Sequence, residues 1–285
     1  MNADDLPPLR AELEAHGLWA NKGLGQHFLL DLNITRRIVR AAGGLAGKAV
    51  LEIGPGPGGL TRALLEAGAD PLIVIEKDVR FQPMLEPLVD WSGGRLRIVQ
   101  GDAMDTDEAA LLSGERAAIV SNLPYNVGTP LLVKWLKAGP WRGPMTLMFQ
   151  KEVAQRIVAQ PGSSAYGRLA VLAQARCDAR LDFTVPPRAF TPPPKIASAI
   201  VRLTDRADPY PHLDALERVT AAAFGQRRKM LRGALKTLTD DTETLLRTAG
   251  LDPAARAETI DQAGFRSLTD AWRKTHRPTA DAADP

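Results

Sequence analysis

The chain has 285 residues, 45% of them hydrophobic and 24% charged, which fits a soluble globular protein with room for one large domain and one small one. No apolar run reaches the length of a membrane span. The start, Met1-Asn2-Ala3-Asp4-Asp5, lacks the basic-then-apolar pattern of a signal peptide, so a cytoplasmic location is expected, with no membrane partner. The single cysteine, Cys177, excludes an internal disulfide and suits a reducing compartment. Four scattered histidines, His16, His27, His212 and His276, give no metal-ligand spacing. Net charge is only +3 but the pI is near 9.1, so a polyanionic partner is expected wherever the basic residues cluster.

From Lys48 to about Val201, short apolar runs alternate with helical stretches. Strands are predicted at 49–53, 71–75, 96–99, 117–120 and 145–150, and helices at 60–67, 79–89 (interrupted by Pro83 and Pro87) and 127–137. This rhythm predicts an α/β domain, a mostly parallel sheet covered on both faces. The runs 180–185 and 197–203 flank a proline-rich loop and read as an antiparallel closing pair. Beyond Thr204 the segment 205–211 is polar with two prolines, a linker signal. Helices follow at 213–224, 227–238, 243–249 and 257–274, the last in one or two pieces. The expected division is therefore 1–204 and an all-helical 205–285, with disorder from Thr279 to Pro285.

The first strand runs into Glu52-Ile53-Gly54-Pro55-Gly56-Pro57-Gly58-Gly59-Leu60. Glycines let backbone approach a ligand, and Gly54, Gly56 and Gly59 satisfy a dinucleotide fingerprint, with Glu76 at the spacing of a ribose contact. Pro55 and Pro57 remove N–H groups that would cradle a pyrophosphate, and the Glu52 carboxylate suits a cationic ligand better. Both a dinucleotide and S-adenosylmethionine stay open at this point, the second favoured. Asp102, in Gly101-Asp102-Ala103 after the third strand, is a further carboxylate at the carboxyl edge, where open α/β sheets bind ligands.

The fourth strand ends in Asn122-Leu123-Pro124-Tyr125-Asn126. Asn122 offers a side-chain carbonyl, Pro124 leaves neighbouring carbonyls free, and Tyr125 offers a flat face with a polar tip. Two acceptors and a platform can hold a planar ring by its exocyclic amine; a plain strand-to-turn reading is equally compatible with these five residues. In the helical part, 227–236 carries Arg227, Arg228, Lys229, Arg232 and Lys236 with no acid. Arg228, Arg232 and Lys236 would share one helix face, a candidate phosphate track that Lys195 and others extend.

These motifs, with Gly23-Leu24-Gly25-Gln26-His27-Phe28-Leu29-Leu30-Asp31, Phe149 to Arg156, Tyr166 to Leu169, Val185 to Phe190 and Phe224 to Arg232, make the chain resemble the small-subunit ribosomal RNA adenine N6,N6-dimethyltransferases over nearly its whole length. The resemblance implies a Rossmann-like class I methyltransferase sheet with a small all-helical carboxyl-terminal domain. It implies S-adenosylmethionine as cofactor, contacted by Gln26, His27, Leu29, Glu52, Gly54, Gly56, Glu76, Asp102 and Asn122. It implies catalysis by Asn122, a carbonyl of Leu123 or Pro124, and Tyr125. Phe190 would be either the second face of the base stack or a core plug. The implied partner is small-subunit ribosomal RNA in a pre-30S-type particle, met by a monomer. The rivals within this reading are a large-subunit RNA or DNA adenine methyltransferase and a non-catalytic assembly factor. Two departures stand out: the family usually has Asn where His27 stands and an apolar residue where Pro57 stands.

Overall fold

The computed structural model describes residues 2–19, 26–226 and 228–276; Gly23 to Gly25, Arg227 and the tail from Thr279 lie outside them. The chain divides into two compact units, Met1–Gln155 with Ala179–Asp205, and Arg156–Asp178 with Arg206–Pro285.

In the first unit, helix α1 (Leu9–Ala15) is followed by a short strand β1 (Phe28–Leu29) and helix α2 (Leu32–Ala42), whose Asp31 cap accepts from the Asn33 N–H. Then come β2 (Val50–Ile53), α3 (Gly59–Glu66), β3 (Leu72–Glu76), α4 (Gln82–Trp91), β4 (Leu96–Gln100), α5 (Glu108–Leu111), β5 (Ala117–Asn122), α6 (Gly128–Lys137) and β6 (Arg142–Gln150). Helix α7 (Lys151–Val158) and helix α8 (Arg168–Arg176), the latter wholly within the second unit, precede in the chain β7 (Cys177–Val185), β8 (Phe190–Thr191) and β9 (Ser198–Asp205). Seven strands form one sheet in the order β4-β3-β2-β5-β6-β9-β7. Pairings from β4 through β6 are parallel, and β9 runs antiparallel to β6. The predicted strands are all present. Strands β2 and β3 are buried along their whole length, as continuous apolar runs in a doubly covered sheet require.

The sequence order reverses between β2 and β5, so the chain leaves these neighbouring strands in opposite directions and opens a crevice at their carboxyl ends. The entry segment lines it through Gln26, His27, Phe28 and Leu29. Strand β1 pairs antiparallel with β8, Phe28 opposite Thr191 and Leu29 opposite Phe190. The amino-terminal segment is tied down by charge: Arg62, 2% exposed, donates to the Pro7 carbonyl at 2.6 Å and to Glu12 at 3.0 Å. Arg36 forks onto Glu66 at 2.7 and 2.9 Å. A buried guanidinium needs such partners, and removing one strands the charge. Helices α1, α2, α5, α7 and α8, and the two-residue strands, lie outside the predicted elements; α1 and α5 are short and depend on tertiary partners, whereas α2 and α7 carry an amphipathic period.

The second unit contains α9 (Leu213–Gly225), α10 (Leu231–Ala234), α11 (Thr242–Thr248) and α12 (Gln262–Thr275). It also takes in 156–178, which the single division at 204 assigned to the first domain. The reason is packing: the Tyr166 ring meets Phe224 edge-on, its hydroxyl donates to the Ile260 carbonyl at 2.9 Å, and the Gln262 amide reaches the carbonyls of Ala170 and Val171. The expected helix 227–238 is also corrected. Met230 forms an antiparallel bridge with Arg256, and the N–H groups of Leu231 and Arg232 donate to the carbonyls of Ala255 and Pro253. The chain is therefore extended at Met230 and helical only from Leu231, so Arg228 does not share a helix face with Arg232 and Lys236. No helix among the described residues is long and apolar enough to cross a membrane.

Gly59, the first residue of α3, makes the tightest backbone approach at the crevice. A Cβ there would lie 2.5 Å from the Leu29 carbonyl oxygen and 3.2 Å from Leu9 Cδ1. Gly59→Ala should cost roughly 1–3 kcal/mol of stability, the usual range for overpacking, read as a lower urea midpoint at unchanged slope.

Candidate active site

A cavity of about 1150 Å³ including its open mouth sits at the carboxyl ends of β2, β3, β4 and β5. Its lining includes every cofactor residue expected above: Gln26, His27, Leu29, Glu52, Gly54, Gly56, Glu76, Asp102 and Asn122. Lys77 and Asp78 also line it and were not singled out in the sequence, where they read as ordinary strand-end charges.

The glycine loop is internally satisfied. Gly56 and Gly58 have φ of 53° and 85°, a left-handed backbone that a Cβ disfavours. The N–H groups of Gly54, Gly56 and Gly58 donate to the Ile75 carbonyl, to Glu76 Oε2 and to the Pro55 carbonyl, each within 2.9–3.0 Å. Pro55 and Pro57 have no N–H. The glycine amides of this loop are therefore already engaged, leaving none of the three for a pyrophosphate. Pro57 lies inside the turn that the Gly58 N–H closes onto the Pro55 carbonyl.

Four carboxylates, Glu52, Glu76, Asp78 and Asp102, line the cavity against one lysine, Lys77. Burial pushes the Glu52 carboxyl up to about 8, with nearby Glu76 adding to the rise and the Thr61 hydroxyl, donating at 2.7 Å, opposing it. Burial also raises Glu76, against backbone N–H bonds from Asp78 at 2.8 Å and Gly56 at 2.9 Å. Asp78 is pulled down to about 2, chiefly by Arg80, and the Gln26 amide donates to it at 3.0 Å. Asp102 lies below its ordinary range because Lys77 donates to it at 2.8 Å and the Met104 N–H at 2.9 Å. With Asp78 paired to Arg80 and Asp102 to Lys77, the charge left over is that of Glu76 and of Glu52 when it ionises, which favours a cation over a diphosphate. The residues present thus fit S-adenosylmethionine and do not fit the dinucleotide alternative.

The loop bearing Asp102 is welded to α6. Lys134 donates to the carbonyls of Ala103 and Thr106 at 2.7 Å each and to Glu108 at 2.9 Å, and the Trp135 indole donates to the same Glu108 oxygen at 3.0 Å. Helix α6 itself begins at the Asn122 corner, so the two sides of the cavity share one support.

At that corner the structure separates the two carbonyls left open by the sequence. The Pro124 carbonyl accepts from Val127 and Gly128 at 3.2 and 3.0 Å, starting α6. No described residue donates to the Leu123 carbonyl. Asn122 Nδ2 donates to the His27 carbonyl at 3.5 Å, which turns the amide so that Oδ1 is free. The corner is therefore rich in acceptors: Asn122 Oδ1 and the Leu123 carbonyl. Tyr125 is half-buried, its hydroxyl 2.6 Å from Ser198 Oγ, and burial pushes the phenol up, so it stays neutral. Phe190 does not line the cavity. It is 3% exposed and packs in the core with Phe28 and Leu29, which corrects the stacking role in favour of the core plug. Among the described residues no cluster of His, Cys, Asp and Glu could hold a metal.

Residues 17–274 match the model of the ribosomal RNA adenine dimethylase family. The chain belongs to that family. It is 62% identical to the ribosomal RNA small subunit methyltransferase A of Phenylobacterium zucineum, with 99% of each chain covered. It is 57% identical to the protein of that name from Rhodopseudomonas palustris, over 93% of this chain and 94% of the relative. Among solved structures, a dimethyladenosine transferase from Plasmodium falciparum superimposes with a TM-score of 0.73 at 26% identity, covering 87% of this chain and 98% of the other. The 23S rRNA methyltransferase ErmE does so with 0.66 at 26%, covering 86% and 99%. The fold is thus that of the class I methyltransferases, and the family is S-adenosylmethionine-dependent.

The raised Glu52 sets a pH dependence. Below about 8 the empty site holds Glu52 protonated, whereas a cationic ligand favours the carboxylate. Binding should therefore release up to one proton, and affinity should rise with pH by at most about tenfold per unit before levelling near 8. Calorimetry of S-adenosylmethionine binding in buffers of different ionisation enthalpy reads this. Glu52→Gln should abolish the proton release and weaken binding. Because the folded value lies above the ordinary 4.5, the empty protein loses stability as pH rises from 4.5 to about 8, and Glu52→Gln should remove that loss.

Proposed function

We propose that this protein transfers two methyl groups from S-adenosylmethionine to the N6 nitrogen of adenosines in small-subunit (16S-type) ribosomal RNA. The observation that carries the chemistry is the acceptor-rich corner, Asn122 Oδ1 with the Leu123 carbonyl, at the wall of a cation-attracting cavity. The names of the relatives at 62% and 57% identity support the choice of RNA, and the lower identity to a 23S rRNA enzyme weighs against the large subunit. Adjacent adenosines near the 3′ end, a pre-30S-type particle as the physical substrate, a monomeric enzyme and a cytoplasmic location complete the proposal.

An adenine N6 lone pair is delocalised into the ring and is a poor nucleophile. Accepting the N–H bonds, both in the first transfer and the one that remains in the second, by Asn122 Oδ1 and the Leu123 carbonyl draws the nitrogen towards a tetrahedral geometry and localises the pair. S-adenosylmethionine, when bound, supplies the electrophilic methyl of its sulfonium. The corner needs no general base, since the amine becomes acidic as it alkylates and gives its proton to water, and Tyr125, held neutral, serves as a platform for the base. Positioning and preorganised dipoles supply the acceleration. The target must be unpaired or flipped to reach the corner. Gln26, the main chain of His27, Leu29, Glu52, Gly54, Gly56, Glu76 and Asp102 are assigned to the cofactor, and Asn122, expected in both roles, to the base. Asn122→Ala should keep S-adenosylmethionine affinity but lower methyl transfer to small subunits by about 10²–10³-fold, measured with tritiated cofactor. Unchanged transfer would refute the assignment.

RNA contact is assigned to Arg228, Lys229, Arg232 and Lys236, all exposed, together with exposed Lys195; Arg227, named with them, lies outside the described residues. With about four phosphates neutralised, the logarithm of affinity should fall with the logarithm of salt at a slope of roughly −3. Arg232→Ala with Lys236→Ala should flatten it by up to about 2. Filter binding across a salt series checks both, and an unaltered slope would remove these residues from the RNA surface.

A further inference from the structure

His27 has a role apart from cofactor contact. Its main chain, not its ring, meets Asn122: the His27 carbonyl accepts from the Asn122 amide at 3.5 Å. Any residue could supply that carbonyl. The ring is committed elsewhere. Nδ1 lies 2.8 Å from the Pro192 carbonyl oxygen, and since a carbonyl only accepts, Nδ1 carries the proton in that bond. The same ring leans against Tyr125, centroids 5.5 Å apart and planes at 33°, within the range of favourable aromatic pairs.

Tyr125 is thereby gripped at two ends. Its hydroxyl meets the Ser198 hydroxyl at 2.6 Å, and Ser198 is fully buried. Its ring face rests on an imidazole that is itself fixed by hydrogen bonding. A flat side chain with a free χ1 and χ2 would otherwise sample several orientations, each at a cost to the alignment of a stacked base.

We propose that the His27 side chain is a positioning residue for methyl transfer: a strut between the Pro192 carbonyl and Tyr125 that sets the plane on which the target adenine stacks. The strut rests on the stacking role assigned to Tyr125 above. It explains why a ring can occupy a position where the family usually has Asn. The main-chain contact to Asn122 is indifferent to the side chain, while the imidazole adds a hydrogen bond and a ring contact. It also separates two effects of the entry segment, which lines the cofactor cavity through Gln26 to Leu29 and supports Tyr125 through the His27 ring.

The test measures kcat on small subunits and the KM for S-adenosylmethionine in His27→Ala, His27→Phe and Tyr125→Ala. The strut predicts that His27→Ala lowers kcat roughly ten- to a hundredfold with the cofactor KM within about twofold. His27→Phe, which keeps the ring contact and loses the Pro192 bond, should recover part of the loss. In the Tyr125→Ala background, His27→Ala should have no further effect, the signature of residues that act as a unit. An unchanged kcat in His27→Ala while Tyr125→Ala is inactive would overturn the strut and leave the Tyr125 reading intact. A rise in cofactor KM alone would instead make the His27 ring a cofactor contact and overturn the strut. Full activity of Tyr125→Ala would overturn the stacking role itself.

Discussion

The rest of the site depends on the burial of carboxylates at the carboxyl edge of a parallel sheet. Glu52, one residue before the end of β2, and Glu76, the last residue of the neighbouring β3, face one cavity and are almost shielded from solvent. Buried acids in such proximity must be hydrogen-bonded, neutralised or met by a cation. Here the glycine loop and Thr61 supply the hydrogen bonds, and Glu52 keeps its proton until a cation arrives. The loop's geometry follows from this duty. The amides of Gly54, Gly56 and Gly58 are directed at the sheet, at Glu76 and back at the loop itself, which is why a loop that matches a dinucleotide fingerprint letter by letter is unsuited to a diphosphate.

The same economy governs the corner after β5. Backbone carbonyls that start α6 are used up, those that do not are left as acceptors, and Asn122 is oriented by a main-chain carbonyl of the entry segment. The reacting nitrogen would thus meet fixed lone pairs rather than a titrating base. Lys134 and Glu108 tie the cofactor side to the same helix that begins at the corner, so the two halves of the reaction are held by one rigid element.

Much of this was legible in the sequence because the signals were local. Long apolar runs marked the buried strands, and Gly-Pro-Gly and Asn-Leu-Pro-Tyr marked the strand ends. What was not legible depended on partners distant in the chain. Helix α8 looks like any short apolar stretch until Tyr166 meets Phe224 and Ile260. The basic run at 227–236 was read as one helix because its spacing is helical, but pairing of Met230 with Arg256 outweighs that local preference. Phe190 could be a stacking partner or a plug on composition alone, and only the β1–β8 pairing decided for the core. The choice between the Leu123 and Pro124 carbonyls likewise required knowing which one α6 consumes.

The central claim is that this acid-lined cavity and acceptor corner deliver two methyl groups to adenine N6 in small-subunit RNA. The most direct measurement is mass spectrometry of nucleosides from unmethylated small and large subunits after incubation with the protein and S-adenosylmethionine. The account predicts N6,N6-dimethyladenosine in the small-subunit RNA and none above background in the large. Monomethylated product only, methylation confined to the large subunit, or no transfer at all would contradict it.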